Sequence, residues 1–89
     1  MRITWDEPKR LVNLEKHGFD LADAAFFGWE EARITPTYPG ADGRPRLKAI
    51  GKLHEQIVVV IYSPLGREAI SIISVRRAHA RERIAHAKD

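Results

Sequence analysis

The sequence predicts an α+β fold, an antiparallel sheet with its helices gathered on one face. Three observations lead there. Helical signals sit at the two ends of the chain, and β-prone segments fill the middle. One of those segments, "QIVVVIYS", is apolar at odd and even positions alike, as a central strand covered on both sides must be. Its neighbour "EAISIISV" follows after a short turn, the pattern of an antiparallel hairpin. The expected order is β-α-α-β-β-β-β-α, with two N-terminal helices and one C-terminal helix. A chain of 89 residues suits one domain, residues 1–89, with a thin core.

Each element has its own grounds. "RITW", at the start, is short and β-prone and stands just ahead of a helix, so it reads as a first strand. The helix runs from Glu7 to His17. Asp6 offers the capping oxygen, Pro8 lies in the first turn, where a missing N–H does no harm, and Gly18 suits the left-handed stop. Leu11 and Leu14 lie opposite a stripe of Lys9, Asn13 and Lys16 and are expected to be its buried side. "DLADAAFF" predicts a second short helix, capped by Asp20 and closed before Gly28. "EARITP" reads as a strand ended by Pro36, and "TYPGADGRP" as a loop. "RLKAIGK" puts Arg46 and Lys48 on one face of a strand, with Leu47 and Ala49 on the other. From Arg76 onward "RRAHARERIAHAKD" is rich in Ala and Arg and predicts the closing helix. With all helices on one side, the other face of the sheet is expected to be free to bind something.

Composition narrows the function. There is no cysteine, hence no disulfide framework, zinc-finger pattern or thiol nucleophile. The opening residues lack the apolar stretch of a signal peptide, and "IVVVIY" is far too short to span a bilayer, so the expected compartment is the cytoplasm, with no membrane partner. The net charge of +3 conceals a gradient. Residues 1–43 carry five Lys/Arg against eight Asp/Glu, and residues 44–89 carry ten against four. The second half therefore suits a polyanion or an acidic protein, although an ordinarily solvated surface accounts for charge alone.

No metal site or cofactor is expected. "HEQIV" opens like a zincin helix but has no second histidine, and phosphate-cradling glycine loops and nucleophile elbows are missing. What remains are cations and imidazoles. Lys9, Asn13 and Lys16 stack along the first helix with His17 at its end, and Arg76, His79, Arg83 and His86 share one stripe of the predicted last helix. Each has a bland explanation in solubility or helix capping. Together they suit cleavage of RNA without metal: histidines or lysines of suitable pKa move the protons of the 2′-hydroxyl and 5′-oxygen, and cations stabilise the phosphorane between them. The same residues would also hold nucleic acid by its phosphates with no chemistry, and residue types do not separate the two. A DNA-reading module fits poorly, because no turn and recognition-helix pair precedes the basic helix.

The opening "WDEPKRLVNLEKHGFDLADA" resembles the BrnT-type toxins of bacterial type II toxin–antitoxin systems, in which W-D-x-x-K is followed by N, then K-H-G, then an acidic helix. Trp5, Asp6, Lys9, Asn13, Lys16, His17, Gly18 and Ala24 match in register. Arg46 with Ile50 and Gly51 is similar to the family's R-x-x-x-I-G strand, and "IISVRRAHARER" to its I-I-S-A-R-[RK]-A-x-x-x-E-R signature. The resemblance implies a RelE-like fold and an endoribonuclease that blocks translation. It also implies a BrnA-type ribbon-helix-helix antitoxin, through which alone operator DNA would be bound, with the ribosome as a further candidate partner. On this reading Lys9, His17, Arg46, Arg76 and His86 are the catalytic candidates, with the two histidines moving protons. Asn13, Lys16, Arg67, Arg77 and Arg83 are the RNA-binding candidates. Two positions depart from the pattern. Ser71 stands where relatives carry Arg ahead of I-I-S, and His86 where many carry Tyr. Arg67 is a candidate substitute for the missing arginine. The alternative is a catalytically weakened or inactive protein that binds RNA and antitoxin.

Overall fold

The computed structural model describes residues 1–88; the end of the predicted last helix, at Asp89, lies outside them. Five strands form one sheet: β1 (Arg2–Trp5), β2 (Arg33–Thr37), β3 (Arg46–Leu53), β4 (Gln56–Leu65) and β5 (Ala69–Arg77), in the order β1-β5-β4-β3-β2. β4 is central, and Val58, Val59 and Val60 are fully buried, as the two-sided apolar pattern requires. The β4–β5 hairpin turns at Gly66, whose φ of 66° is in the left-handed region.

The sheet is mixed rather than wholly antiparallel. β1 runs parallel to β5, from Arg2↔Ala69 to Trp5↔Ile72, while the other three pairings are antiparallel. The chain leaves β1 at one edge, crosses a face and re-enters at the opposite edge as β2, so the edge of β5 stays open for β1. β2 continues through Pro36, which pairs with Leu47. An edge strand tolerates a residue without an N–H.

The helices do not share one face. α1 (Glu7–His17) lies along β5, capped by Asp6, whose carboxylate accepts from Lys9 N at 3.2 Å, and stopped by Gly18 at φ 76°. The second predicted helix is a 3-10 helix, Leu21–Phe26, followed by a 3-10 turn at Trp29–Glu31. With three residues per turn, Leu21, Ala24 and Phe27 align on one side and are buried against Ala49, Leu53, Val58, Val60 and Ile72. Phe27 packs over Gly51, where a Cβ would lie 2.8 Å from its ring, so the glycine of the Ile50-Gly51 pair makes room for the layer above the sheet. On the opposite face Ile50, Val59 and Ala78 form a smaller cluster, and α2 (Ala80–Ala87) lies nearby against β3.

α2 begins four residues later than its composition predicts. Arg76 and Arg77 continue β5 instead, opposite Val59 and Val58, and Ala78 N donates to Ile57 O at 3.0 Å. Pairing with the buried β4 overrides helix propensity. Arg76 therefore does not share a helical stripe with Arg83 and His86, and His79 is the residue that caps α2.

Candidate functional site

The buried side of α1 is the reverse of the predicted one. Leu11, Val12 and Leu14 are exposed, and Asn13 is the buried residue of the helix. β1 ends at Trp5 opposite Ile72, which leaves the β5 backbone beyond it without a partner strand. The Asn13 amide takes that place. Its Oδ1 accepts from Val75 N at 3.2 Å and its Nδ2 donates to Val75 O at 2.9 Å, as a paired strand would. Nδ2 also donates to Phe19 O at 2.8 Å, and Oδ1 accepts from Ser74 Oγ at 3.2 Å. A leucine could satisfy none of these groups. The amide is fully used, so Asn13 fixes α1 against β5.

This joint creates two adjoining clefts between α1 and the β5–α2 junction. One, of about 300 Å³, is lined by Lys9, Lys16 and His17 around Pro8, Val12 and Ile73. The other, of about 650 Å³, is lined by Lys16, His17, Arg76, Arg77, His79 and Arg83. Lys16 and His17 stand on the shared boundary. Among the described residues Lys9, Lys16 and Arg77 have no ion-pair partner, whereas Arg10 is held by Glu7 and Asp20 at 2.8 and 2.9 Å. Cations left unpaired in a concave surface favour an anionic ligand. Partial burial of His17, helped by the positive charges of Lys16 and Arg76, lowers its pKa below the ordinary imidazole value. The ring is thus neutral at pH 7 and able to accept a proton.

Arg76 is committed elsewhere. Its guanidinium meets Glu82 through two parallel contacts, Nη1–Oε1 at 2.8 Å and Nη2–Oε2 at 2.9 Å. Lys48 Nζ approaches the same carboxylate at 2.6 Å, and Glu82 Oε1 accepts from His79 N at 2.7 Å. These bonds hold the Glu82 carboxyl far below the usual carboxylate range, the Arg76 hydrogen bond contributing most. Arg83 adds a bond from Nη1 to Ala78 O at 2.6 Å. The E-R pair closing the C-terminal motif thus fastens α2 to the end of β5.

The clefts bring together Lys9, Asn13, Lys16, His17, Arg76, Arg77 and Arg83 of the predicted residues, Asn13 with its amide already used. Arg46, Arg67 and His86 line neither cleft. Arg46 begins β3, with its guanidinium against Gly40. Arg67 is in the β4–β5 turn, in a separate hollow with Met1, Arg2 and Glu68, at the far end of β5 from Arg76. His86 is in the last turn of α2. Several cleft residues stand outside the predicted site list, among them Pro8, Val12, Ile73, Ser74 and His79. His79 was visible as part of a basic stripe, but only the strand-to-helix switch at Ala78 turns it toward His17's cleft. Ile73 reads in sequence as one more core residue. Among the described residues no three His, Asp or Glu side chains gather as a metal-ligand set. No helix described is long and apolar enough to cross a membrane.

The model of a family described as ribonuclease toxin, BrnT, of type II toxin–antitoxin systems matches residues 5–82. The chain is also similar to the Brucella abortus ribonuclease toxin BrnT, known from a crystal structure, at 48% identity. That match has a TM-score of 0.72 and covers 89% of this chain and 97% of the other. No curated protein matches.

Proposed function

Since the chain belongs to the BrnT ribonuclease toxins of type II toxin–antitoxin systems, we propose that it is an endoribonuclease whose reaction centre is the boundary between these two clefts. The observation that carries this reading is the position of His17 on the boundary of the two clefts, flanked by unpaired Lys9, Lys16 and Arg77 in a concave surface. His17 takes the proton of a 2′-hydroxyl as its oxygen attacks the adjacent phosphorus. Lys9, Lys16, Arg77 and Arg83 hold the phosphate and stabilise the charge that gathers on the phosphorane, work a metal ion does in other nucleases. The bond to the 5′-oxygen breaks and that oxygen is protonated, leaving a 2′,3′-cyclic phosphate and a 5′-hydroxyl. His79, lining the same cleft as His17, is the proposed acid in preference to His86. Asn13 and Glu82 act as positioning residues, Glu82 by holding the Arg76 guanidinium at the wall of the larger cleft.

Cleaving RNA in this way would block translation, on the ribosome or off it, in the cytoplasm. The fold is proposed to be RelE-like, and the neutralising partner a BrnA-type ribbon-helix-helix antitoxin that carries the complex to operator DNA. A covering segment for such a cleft would be acidic.

A second reading, a weakened enzyme that binds RNA and antitoxin, is favoured by Ser71. It pairs with Ser63 of β4, one strand from the start of β3, so an arginine there would stand about 10 Å from Arg46 across two strand spacings. Without it Arg46 has no companion in that row.

The test is an end-labelled RNA in EDTA, incubated with toxin freed of antitoxin and, in parallel, with Lys9→Ala and His17→Ala proteins. Cyclic phosphate ends from the wild type, reduced at least a hundredfold by His17→Ala, are expected. Equal cleavage by His17→Ala would remove the proposed base. Binding without cleavage, with activity gained by Ser71→Arg, would establish the second reading.

A further inference from the structure

The smaller cleft has a floor unlike its rim. Pro8 and Val12 of α1 face Ile73 of β5 across it, with Lys9 and Lys16 at the sides. Ile73 is there because β5 is irregular. Ile61 pairs with Ser74 and Tyr62 with Ile72, so Ile73 stands opposite no residue and forms a β-bulge. The bulge leaves Ile72 and Val75 both in the core and turns Ile73 out toward α1. Bulges that re-aim one side chain are common beside functional sites. A strand of ordinary pleat would bury or expose these residues by strict alternation and would leave the cleft without a floor.

We infer that this shelf of Pro8, Val12 and Ile73 takes one unstacked nucleobase of single-stranded RNA, next to the phosphate held at Lys16 and His17. The inference rests on the ribonuclease reading and adds to it the part of the substrate that binds beyond the phosphate. Three features fix the occupant. The flanking cations match a polyanion, so a group that enters between them belongs to a chain of phosphates. The volume, about 300 Å³, is of the scale of one nucleoside and not of a helix. A base inside a duplex is stacked and paired and cannot reach an apolar floor, which selects single strands. The shelf also reads base identity poorly. The Asn13 amide is fully used by backbone groups and Ser74, and Ser74 Oγ donates to Asn13. Apart from His17, which is assigned to the phosphate, lysine donors remain, so any base with an acceptor edge is admitted.

The test measures binding of short single-stranded RNAs, made uncleavable by 2′-fluoro substitution, to the full chain freed of antitoxin. An abasic residue is placed at each position in turn. At one position it is expected to weaken binding about tenfold, while exchanging the base there changes binding less than about threefold. Val12→Ser and Ile73→Ser are expected to lose a similar factor and to stop distinguishing abasic from intact RNA. Val12 is on the exposed surface of α1, so its variant folds even if Ile73→Ser does not. Tight binding that ignores abasic sites everywhere would overturn the shelf and leave the ribonuclease reading standing. No binding to any RNA would remove both. Variants that bind RNA normally but lose the antitoxin would assign the shelf to the protein partner and overturn the inference.

Discussion

Asn13 shows how one side chain can stand in for a strand. It is disfavoured within a helix by propensity, and its four hydrogen bonds explain why it is there. Asn13→Ala should cost roughly 2–4 kcal/mol in urea unfolding, because the Val75 and Phe19 backbone groups lose their partners in a buried place. Leu14→Ala, on the exposed side of the same helix, should cost less than about 1 kcal/mol. His17 offers a second check. Its folded pKa is below the unfolded value, so the unfolded chain binds more protons in the imidazole range. Stability from this residue is therefore present above about pH 6.5 and is lost as pH falls from there through the folded pKa. Lys16 is the larger of the two charges acting on it, so Lys16→Gln should raise the His17 pKa, followed by the ring-proton shift in an NMR titration. An unmoved titration would mean that the two groups do not share the cleft boundary.

Among the elements, the parts most legible in sequence are those specified locally. Asp6, Pro8 and Gly18 mark α1 at both ends, and the apolar run marks β4 as central. What was not legible depends on partners distant in sequence. The 3-10 form of Leu21–Phe26 follows from the face it must present to the sheet, the length of β5 from its pairing with β4, and the bulge at Ile73 from mismatched register. The orientation of α1 depends on such a partner too, since burying an amide makes sense only once an unpaired strand edge lies beneath it. The candidate site divides similarly. Lys9, Lys16 and His17 are legible because one helix presents them together, whereas Arg46 is on β3, which lines neither cleft, and His86 is in the last turn of α2, past the Ala80 and Arg83 that line the larger one. α2 is held mainly by polar contacts. It buries no residue of its own, Glu82 ties it to Lys48, Arg76 and the His79 amide, and Arg83 adds the bond to Ala78 O. Glu82→Ala should destabilise the protein by about 2–4 kcal/mol and loosen α2 first, seen as faster amide exchange at residues 83–87. Because the folded pKa of Glu82 is strongly depressed, its contribution is complete above the ordinary carboxylate range and is lost only as pH falls far into acid.

At the scale of the whole molecule, the charge gradient along the chain is not the gradient in space. The acidic first half contributes Lys9 and Lys16 to the clefts, and two of its carboxylates, Glu7 and Asp20, are occupied by Arg10. The basic second half contributes Arg77 and Arg83, but it places Arg67 at the other end of β5. Binding of RNA should then depend on location of charge and not on net charge. If about four phosphates are neutralised by Lys9, Lys16, Arg77 and Arg83, the logarithm of affinity should fall against that of salt with a slope near −3. Binding would weaken about 60-fold between roughly 0.05 and 0.2 M salt. Arg77→Gln should flatten the slope by about 0.7, and Arg67→Gln, which removes the same charge from the molecule, should leave it unchanged. Equal flattening by both variants would mean that RNA spreads over the whole basic surface. A response confined to Arg77 would mean that the folding of α1 onto the end of β5 collects the anion-binding charge, and that Asn13, which makes that contact, is as necessary to the cleft as any of its cations.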